Sequence, residues 1–168
     1  CSKRTVVSGR YKLMLAWLAE VVQGEMSVTP LVQDASNRAY FRIGVRGKSF
    51  VVMDAPPEKE SVLAFIAIAE SLLVRGLNVP MIHAKDIEKG FLLLSDLGDD
   101  LYFKCLSLDT ADDLYGRAFD AILQLQGCQK IPGYQLPHFT EEKLRLELGL
   151  FDRWYLSEYL GVELSESL

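Results

Sequence analysis

A run of four large apolar residues, Phe91-Leu92-Leu93-Leu94, stops at Ser95-Asp96-Leu97-Gly98, and the chain changes character at that point. Ahead of it, short apolar segments are separated by turn residues. Behind it, apolar residues recur at helical spacing. Four bulky apolar residues bounded by turn signals read as a deeply buried strand. Strands gathered on one side of such a stop and helices on the other define an α+β chain.

The strand-rich half can be followed residue by residue. Tyr11, Met14, Leu18 and Val21 recur at helical spacing over 10–23, with Gly24 just past the end, and predict a leading helix. Pro30 breaks the pattern, and Leu31-Val32-Gln33 reads as a short strand. The polar turn Asp34-Ala35-Ser36-Asn37-Arg38 follows. Phe41, Ile43 and Val45 then alternate with Arg42, Gly44 and Arg46, the pattern of a half-buried antiparallel strand. Gly47-Lys48 turns the chain into Ser49-Phe50-Val51-Val52-Met53, a third strand. Pro56-Pro57 stops it, and 61–75 reads as a helix closed by Gly76. Asn78-Val79-Pro80 leads to Met81-Ile82-His83-Ala84, a fourth strand, and Glu88-Lys89-Gly90 turns into the fifth. Residues 1–95 therefore predict a five-stranded antiparallel sheet with one helix on a face, behind a leading helix.

Residues 96–98 read as a hinge, and 99–168 as the start of a helical lobe. Helices are expected near 101–106, over 110–126 and over 140–160. Thr110-Ala111-Asp112-Asp113 resembles a capping box with Asp in place of Glu. Leu144, Leu148, Phe151, Trp154, Tyr155 and Tyr159 give the last helix a wide apolar face with little chain left to cover it, so the helical lobe reads as truncated.

Charge and cysteine usage narrow the function class. The 168 residues carry 18 Lys plus Arg against 23 Asp plus Glu, a formal charge of −5, and this argues against a nucleic-acid partner. Phosphate ligands stay open, because backbone N–H groups and one cation suffice to hold them. No apolar run is long enough to cross a bilayer. Cys1, Cys105 and Cys128 form an odd, widely spaced set, which predicts a reducing, cytoplasmic setting. Cys1 is read as a trimmed end rather than a lipidated residue.

Two stretches are candidates for chemistry. The 34–40 turn can offer backbone N–H groups together with Ser36, Asn37 and Arg38 to an anion; an ordinary hairpin turn has the same composition. Ser95-Asp96-Leu97-Gly98 offers main-chain donors and acceptors suited to a heteroaromatic base, or is a plain linker. Asp96, Asp99 and Asp100 match no calcium loop and read as a solvated helix start. His83 and His138 belong to no recognisable ligand or nucleophile set.

Several stretches resemble one family in order along the chain. Asp34-Ala35-Ser36-Asn37-Arg38-Ala39-Tyr40-Phe41-Arg42 is similar to the nucleotide loop of the aminoglycoside phosphotransferase/choline kinase family, which has a protein-kinase-like fold. Val52-Met53-Asp54-Ala55-Pro56-Pro57-Glu58-Lys59-Glu60, Gly76-Leu77-Asn78-Val79-Pro80, 90–98 and Phe151-Asp152-Arg153-Trp154-Tyr155-Leu156 resemble its branch of N-acetylmuramate/N-acetylglucosamine anomeric kinases of cell-wall recycling. The resemblance implies ATP- and magnesium-dependent transfer of a γ-phosphoryl group to a sugar hydroxyl, anomeric in that branch. An aminoglycoside or choline is the alternative acceptor, and a non-catalytic nucleotide- or partner-binding module the alternative class. It also implies that 36–40, with Tyr40, covers the triphosphate and that the main chain of Ser95, Asp96 and Leu97 binds adenine. Met53 stands at the position of the family's strand-three lysine. That lysine's glutamate partner falls near Phe65, with Glu60 and Glu70 close by, and Arg38, Arg42 or Lys48 are candidate substitutes for the missing cation. The catalytic loop H-x-D-x-x-x-x-N has no match in these 168 residues, so no residue is assigned to catalysis or to metal.

Overall fold

The computed structural model describes residues 9–31 and 36–162. The elements run α1 (Gly9–Val21), β1 (Met26–Pro30), β2 (Ala39–Val45), β3 (Lys48–Asp54), α2 (Val62–Val74), β4 (Ile82–Asp86), β5 (Phe91–Ser95), α3 (Tyr102–Cys105), α4 (Ala111–Gln126) and α5 (Glu141–Leu150), followed by a π-helical stretch Phe151–Tyr159. The five strands form one antiparallel sheet in the order β1-β2-β3-β5-β4. The α+β class and the sheet read from the sequence are both present, in the arrangement of a kinase-like N-terminal lobe.

Each face of the sheet is covered by its own helix. Met14, Trp17 and Leu18 of α1 pack with Ile43, Val45, Val52, Phe91 and Leu93. Val62 and Ile66 of α2 pack with Met53, Leu92 and Leu94 on the opposite side. The alternation of Val52 with Met53, and of Leu93 with Leu92 and Leu94, follows from the two-residue period of a strand. A bulge between Ile82 and Ala84 keeps β4 in step, turning Ile82 to the α2 face and Ala84 to the α1 face. Arg10 fastens α1 to the sheet. Its Nε donates to Asp54 Oδ1 at 3.0 Å, its Nη2 to the Lys89 carbonyl at 2.7 Å, and its guanidinium lies 4.8 Å from the Phe91 ring centroid.

Local chemistry accounts for the connections. The two-residue turn between β2 and β3 is Arg46-Gly47, with φ of 48° and 74°, rather than Gly47-Lys48; Lys48 already pairs with Val45. Ser61 caps α2 by accepting the Leu63 N–H at 3.2 Å, and Gly76 (φ 82°) ends it.

Three expectations are corrected. The first strand is Met26–Pro30, not Leu31-Val32-Gln33: Met26 and Val28 point inward between Ser27 and Thr29, and Pro30 is tolerated at the end of an edge strand. Leu31 adds only one bond, from its N–H to the Tyr40 carbonyl at 2.9 Å, and Val32 and Gln33 lie outside the described residues. Thr110 forms no capping box, because its hydroxyl accepts the Ser107 N–H at 2.9 Å and donates to the Cys105 carbonyl at 2.7 Å. The 140–160 helix is α-helical only to Leu150 and continues with π winding.

The chain divides into two compact units between Tyr134 and Gln135. In the second, Thr140 caps α5 by accepting the Lys143 N–H at 3.2 Å, and Phe151, Tyr155 and Tyr159 stack successively at 5.2 and 5.7 Å. The apolar face expected there is exposed: Leu144, Leu148, Phe151, Trp154, Tyr155 and Tyr159 all lie open to solvent.

Gly90 tests the packing of the first unit. Its φ is 73°, and a Cβ there would stand 1.9 Å from the Ala55 carbonyl oxygen. Gly90→Ala is expected to destabilise the protein by at least about 2 kcal/mol in urea unfolding. A loss within error of zero would contradict the packing described.

Candidate functional site

Between the α2 face of the sheet and the segment after β5 lies a cavity of about 300 Å³. Val51 from β3, Leu94 from β5, Phe65 from α2, and Leu31 and Pro80 form its apolar wall. Tyr40 and Arg42 from β2 and the chain from Ser95 to Asp99 form the polar side. Apolar walls with a few convergent polar groups are the usual form of a small-molecule site.

The polar side is held by one ion-pair cluster. Arg42 Nε and Nη2 donate to the two carboxylate oxygens of Asp96 at 2.7 and 3.2 Å. Its Nη1 and Nη2 donate to Asp99 at 2.8 and 2.9 Å. Asp96 also accepts from the Ser49 hydroxyl and, at 3.0 Å, from the Gly98 N–H. The planar guanidinium thus binds both carboxylates in forked pairs and ties the post-β5 segment to β2. The Ser49 hydroxyl, followed by Arg42 and the Gly98 N–H, holds the Asp96 carboxyl down at about 2. Arg42 lowers Asp99 as well, and the two carboxylates raise Arg42.

The backbone of the same segment is unevenly used. The Ser95 N–H donates to the Met81 carbonyl at 2.9 Å, and the Met81 N–H donates to Ser95 Oγ at 2.9 Å. Among the described residues, neither the Ser95 carbonyl nor the Leu97 N–H has a hydrogen-bond partner.

Of the residues singled out from sequence, Tyr40, Ser95, Asp96 and Leu97 line this cavity. Ser36 and Asn37 are exposed outside its lining, and Ser36 Oγ accepts the Arg38 N–H at 3.3 Å. Arg38 is ion-paired to Glu60, sits 5.8 Å from the Phe65 ring centroid, and borders a separate groove along α2. Met53 is fully buried in the α2-side core, where Phe65 packs against the same cluster. Lys48 borders a groove on the α1 face. Asp34 and Ala35 lie outside the described residues. Asp96 and Asp99 are partners of Arg42 rather than a solvated helix start, and α3 begins only at Tyr102. Sequence reading missed this cluster because Arg42 and Asp96 are 54 residues apart. The available signal was Arg42 on the polar side of an otherwise regular alternation.

The cluster sets a pH dependence. A carboxylate with a depressed folded value contributes stability above its unfolded value and loses it as pH falls through the folded value. The Asp96 contribution is therefore complete above its ordinary value of 3.8 and lost on the way to about 2. Asp96→Asn is expected to be less stable than the parent at neutral pH, with the gap closing as pH falls from about 4 to about 2 in urea titrations. A gap independent of pH would contradict the pairing.

The model of the phosphotransferase enzyme family matches residues 27–167. The chain is 47% identical over 135 residues to the N-acetylmuramate/N-acetylglucosamine kinase of Pseudomonas aeruginosa, covering 80% of this chain and 39% of that protein. It is 42% identical over 153 residues to the like-named kinase of Pseudomonas putida, covering 90% of this chain and 43% of that protein. With that of Neisseria meningitidis it shares 31% over 153 residues, 89% of this chain and 45% of that protein. The chain thus spans about two fifths of the length of these curated relatives. With a family match running over nearly all its length, the chain belongs to the phosphotransferase enzyme family.

Proposed function

We propose that this chain carries the nucleotide-binding part of an ATP-dependent sugar kinase, with the adenine base seated against Ser95, Asp96 and Leu97. The observation that carries this reading is the unpaired Ser95 carbonyl and Leu97 N–H beside an apolar cavity. In an extended segment, residues two apart present their backbone groups to the same side. An acceptor and a donor so placed suit the 6-amino group and N1 of adenine, and Val51, Leu94 and Leu31 offer the ring its apolar faces. Residues 96–98 serve as the hinge between the sheet and the helical lobe. The names of the relatives favour N-acetylmuramate or N-acetylglucosamine as the acceptor; the resemblance in sequence adds its anomeric hydroxyl, and the odd, widely spaced cysteines a cytoplasmic setting.

The described residues fit the base better than the metal. Asp96 and Asp99 are committed to Arg42, and no group of three or more His, Cys, Asp or Glu is placed to hold an ion among the described residues. Magnesium would supply charge neutralisation on the phosphates, but these side chains offer it no cradle. Met53 and Phe65, apolar and packed in one cluster, stand where the family resemblance implies a lysine and its glutamate. That apolar pair favours, as a second reading, a nucleotide-binding module without catalysis.

Calorimetry with Mg-ADP is expected to show weak, saturable binding to the 168-residue chain. Val51→Trp, filling the cavity, is expected to weaken it at least about tenfold with the circular dichroism unchanged. Tight binding that depends on magnesium, or no binding, would contradict the proposal. Mg-ATP with N-acetylglucosamine is expected to give no sugar phosphate on this chain alone, because the H-x-D-x-x-x-x-N loop is absent from its sequence. Sustained turnover would contradict that assignment.

A further inference from the structure

Ser95 and Met81 face each other where β5 ends beside the chain entering β4, and their bonding departs from the ordinary ladder. In a closely paired antiparallel couple, each residue donates its N–H to the other's carbonyl. The Ser95 N–H does so, reaching the Met81 carbonyl at 2.9 Å. The return bond does not: the Met81 N–H goes to Ser95 Oγ, at 2.9 Å.

The other side of the strand cannot use the displaced carbonyl. The Ala55 N–H donates to the Gly90 carbonyl at 2.9 Å, which fixes the phase of the β3–β5 ladder. Counting from there, Asp54↔Phe91, Val52↔Leu93 and Phe50↔Ser95 are all couples that exchange no bonds directly. The Ser95 backbone groups therefore point away from β3. With its natural donor diverted to the side chain, the Ser95 carbonyl has no partner among the described residues. Ser95 lies on the wall of the cavity, so the acceptor is available to whatever occupies it.

We infer that the Ser95 hydroxyl is a positioning group that keeps this carbonyl open for a ligand donor, and so sets the preference for a base with an exocyclic amine over one with a carbonyl at that place. The inference rests on the proposed nucleotide site. A base with an amino group at carbon 6 donates to the Ser95 carbonyl. A 6-oxo base sets two acceptors against each other and is disfavoured. Without the hydroxyl, the Met81 N–H has only the Ser95 carbonyl to turn to, the ladder closes, and discrimination between the two bases falls.

The test uses the whole chain with Ser95→Ala and Ser95→Thr, each checked for an unchanged melting temperature. The first readout needs no nucleotide: a through-hydrogen-bond coupling between Met81 nitrogen and Ser95 carbonyl carbon should be absent in the parent and in Ser95→Thr, and present in Ser95→Ala. The second is calorimetry with Mg-ADP and Mg-IDP. The parent and Ser95→Thr are expected to favour Mg-ADP by at least about tenfold, since the 6-oxo base mismatches both the Ser95 carbonyl and the Leu97 N–H. Ser95→Ala should lower the ratio several-fold without bringing it to one, because the protonated N1 of the 6-oxo base still opposes the Leu97 N–H. A coupling present in the parent, or absent in Ser95→Ala, would overturn the inference. So would an unchanged ratio in Ser95→Ala, leaving the nucleotide site standing. A parent that binds neither nucleotide would overturn the site itself and the inference with it.

Discussion

The burial of β5 on both faces is the constraint on which the first unit depends. Phe91 and Leu92 are fully buried, and Leu93 and Leu94 nearly so. Phe91 and Leu93 belong to the core under α1, Leu92 and Leu94 to the core under α2. The strand is also hydrogen-bonded on both edges, to β3 and to β4. Backbone and side chains are thus fixed together up to Ser95. The segment that follows inherits a defined starting point, which is how a rigid scaffold gives precision to a loop.

The second constraint acts immediately beyond. A segment leaving a buried strand would ordinarily be free to move, and here the Arg42 guanidinium holds it by two carboxylates at once. With Asp96 nearly buried and carrying four donors, the pairing resembles a hydrogen-bonded network more than an exposed surface ion pair. The same commitment makes Arg42, Asp96 and Asp99 poor candidates for phosphate or metal binding. Arg38 is likewise engaged, with Glu60. The described residues therefore suit the proposed base better than they suit a triphosphate. The curated relatives are more than twice as long as the matched region, which leaves ample chain in them for the remaining chemistry.

What the sequence disclosed was whatever local pattern controls. The Phe41, Ile43, Val45 alternation, the Ser61 cap with Gly76 at the far end, and the FLLL run each specify their element within a few residues. The position of β1 was missed because Pro30 was taken as a break before the strand, when its place is the strand's exposed end. The coverage of the second sheet face by α1 was not legible either, since helical periodicity says that a face is apolar and not what it meets. Of the candidate residues, Tyr40, Ser95, Asp96 and Leu97 converge on one cavity, whereas Ser36, Asn37, Arg38 and Met53 do not line it. The Arg42 pairing and the diverted Met81 bond join residues far apart in the chain, and no local signal encodes such contacts.

The central claim is that a nucleotide base occupies the cavity beside Ser95, Asp96 and Leu97. Amide and methyl spectra of the labelled chain, recorded as Mg-ADP is added, address it most directly. The account predicts saturable shifts at the Leu97 amide and the Val51 and Leu94 methyl groups, with Val45 and Leu93 on the α1 face unmoved. Shifts confined to the α1 face, or none at any concentration reached, would contradict it.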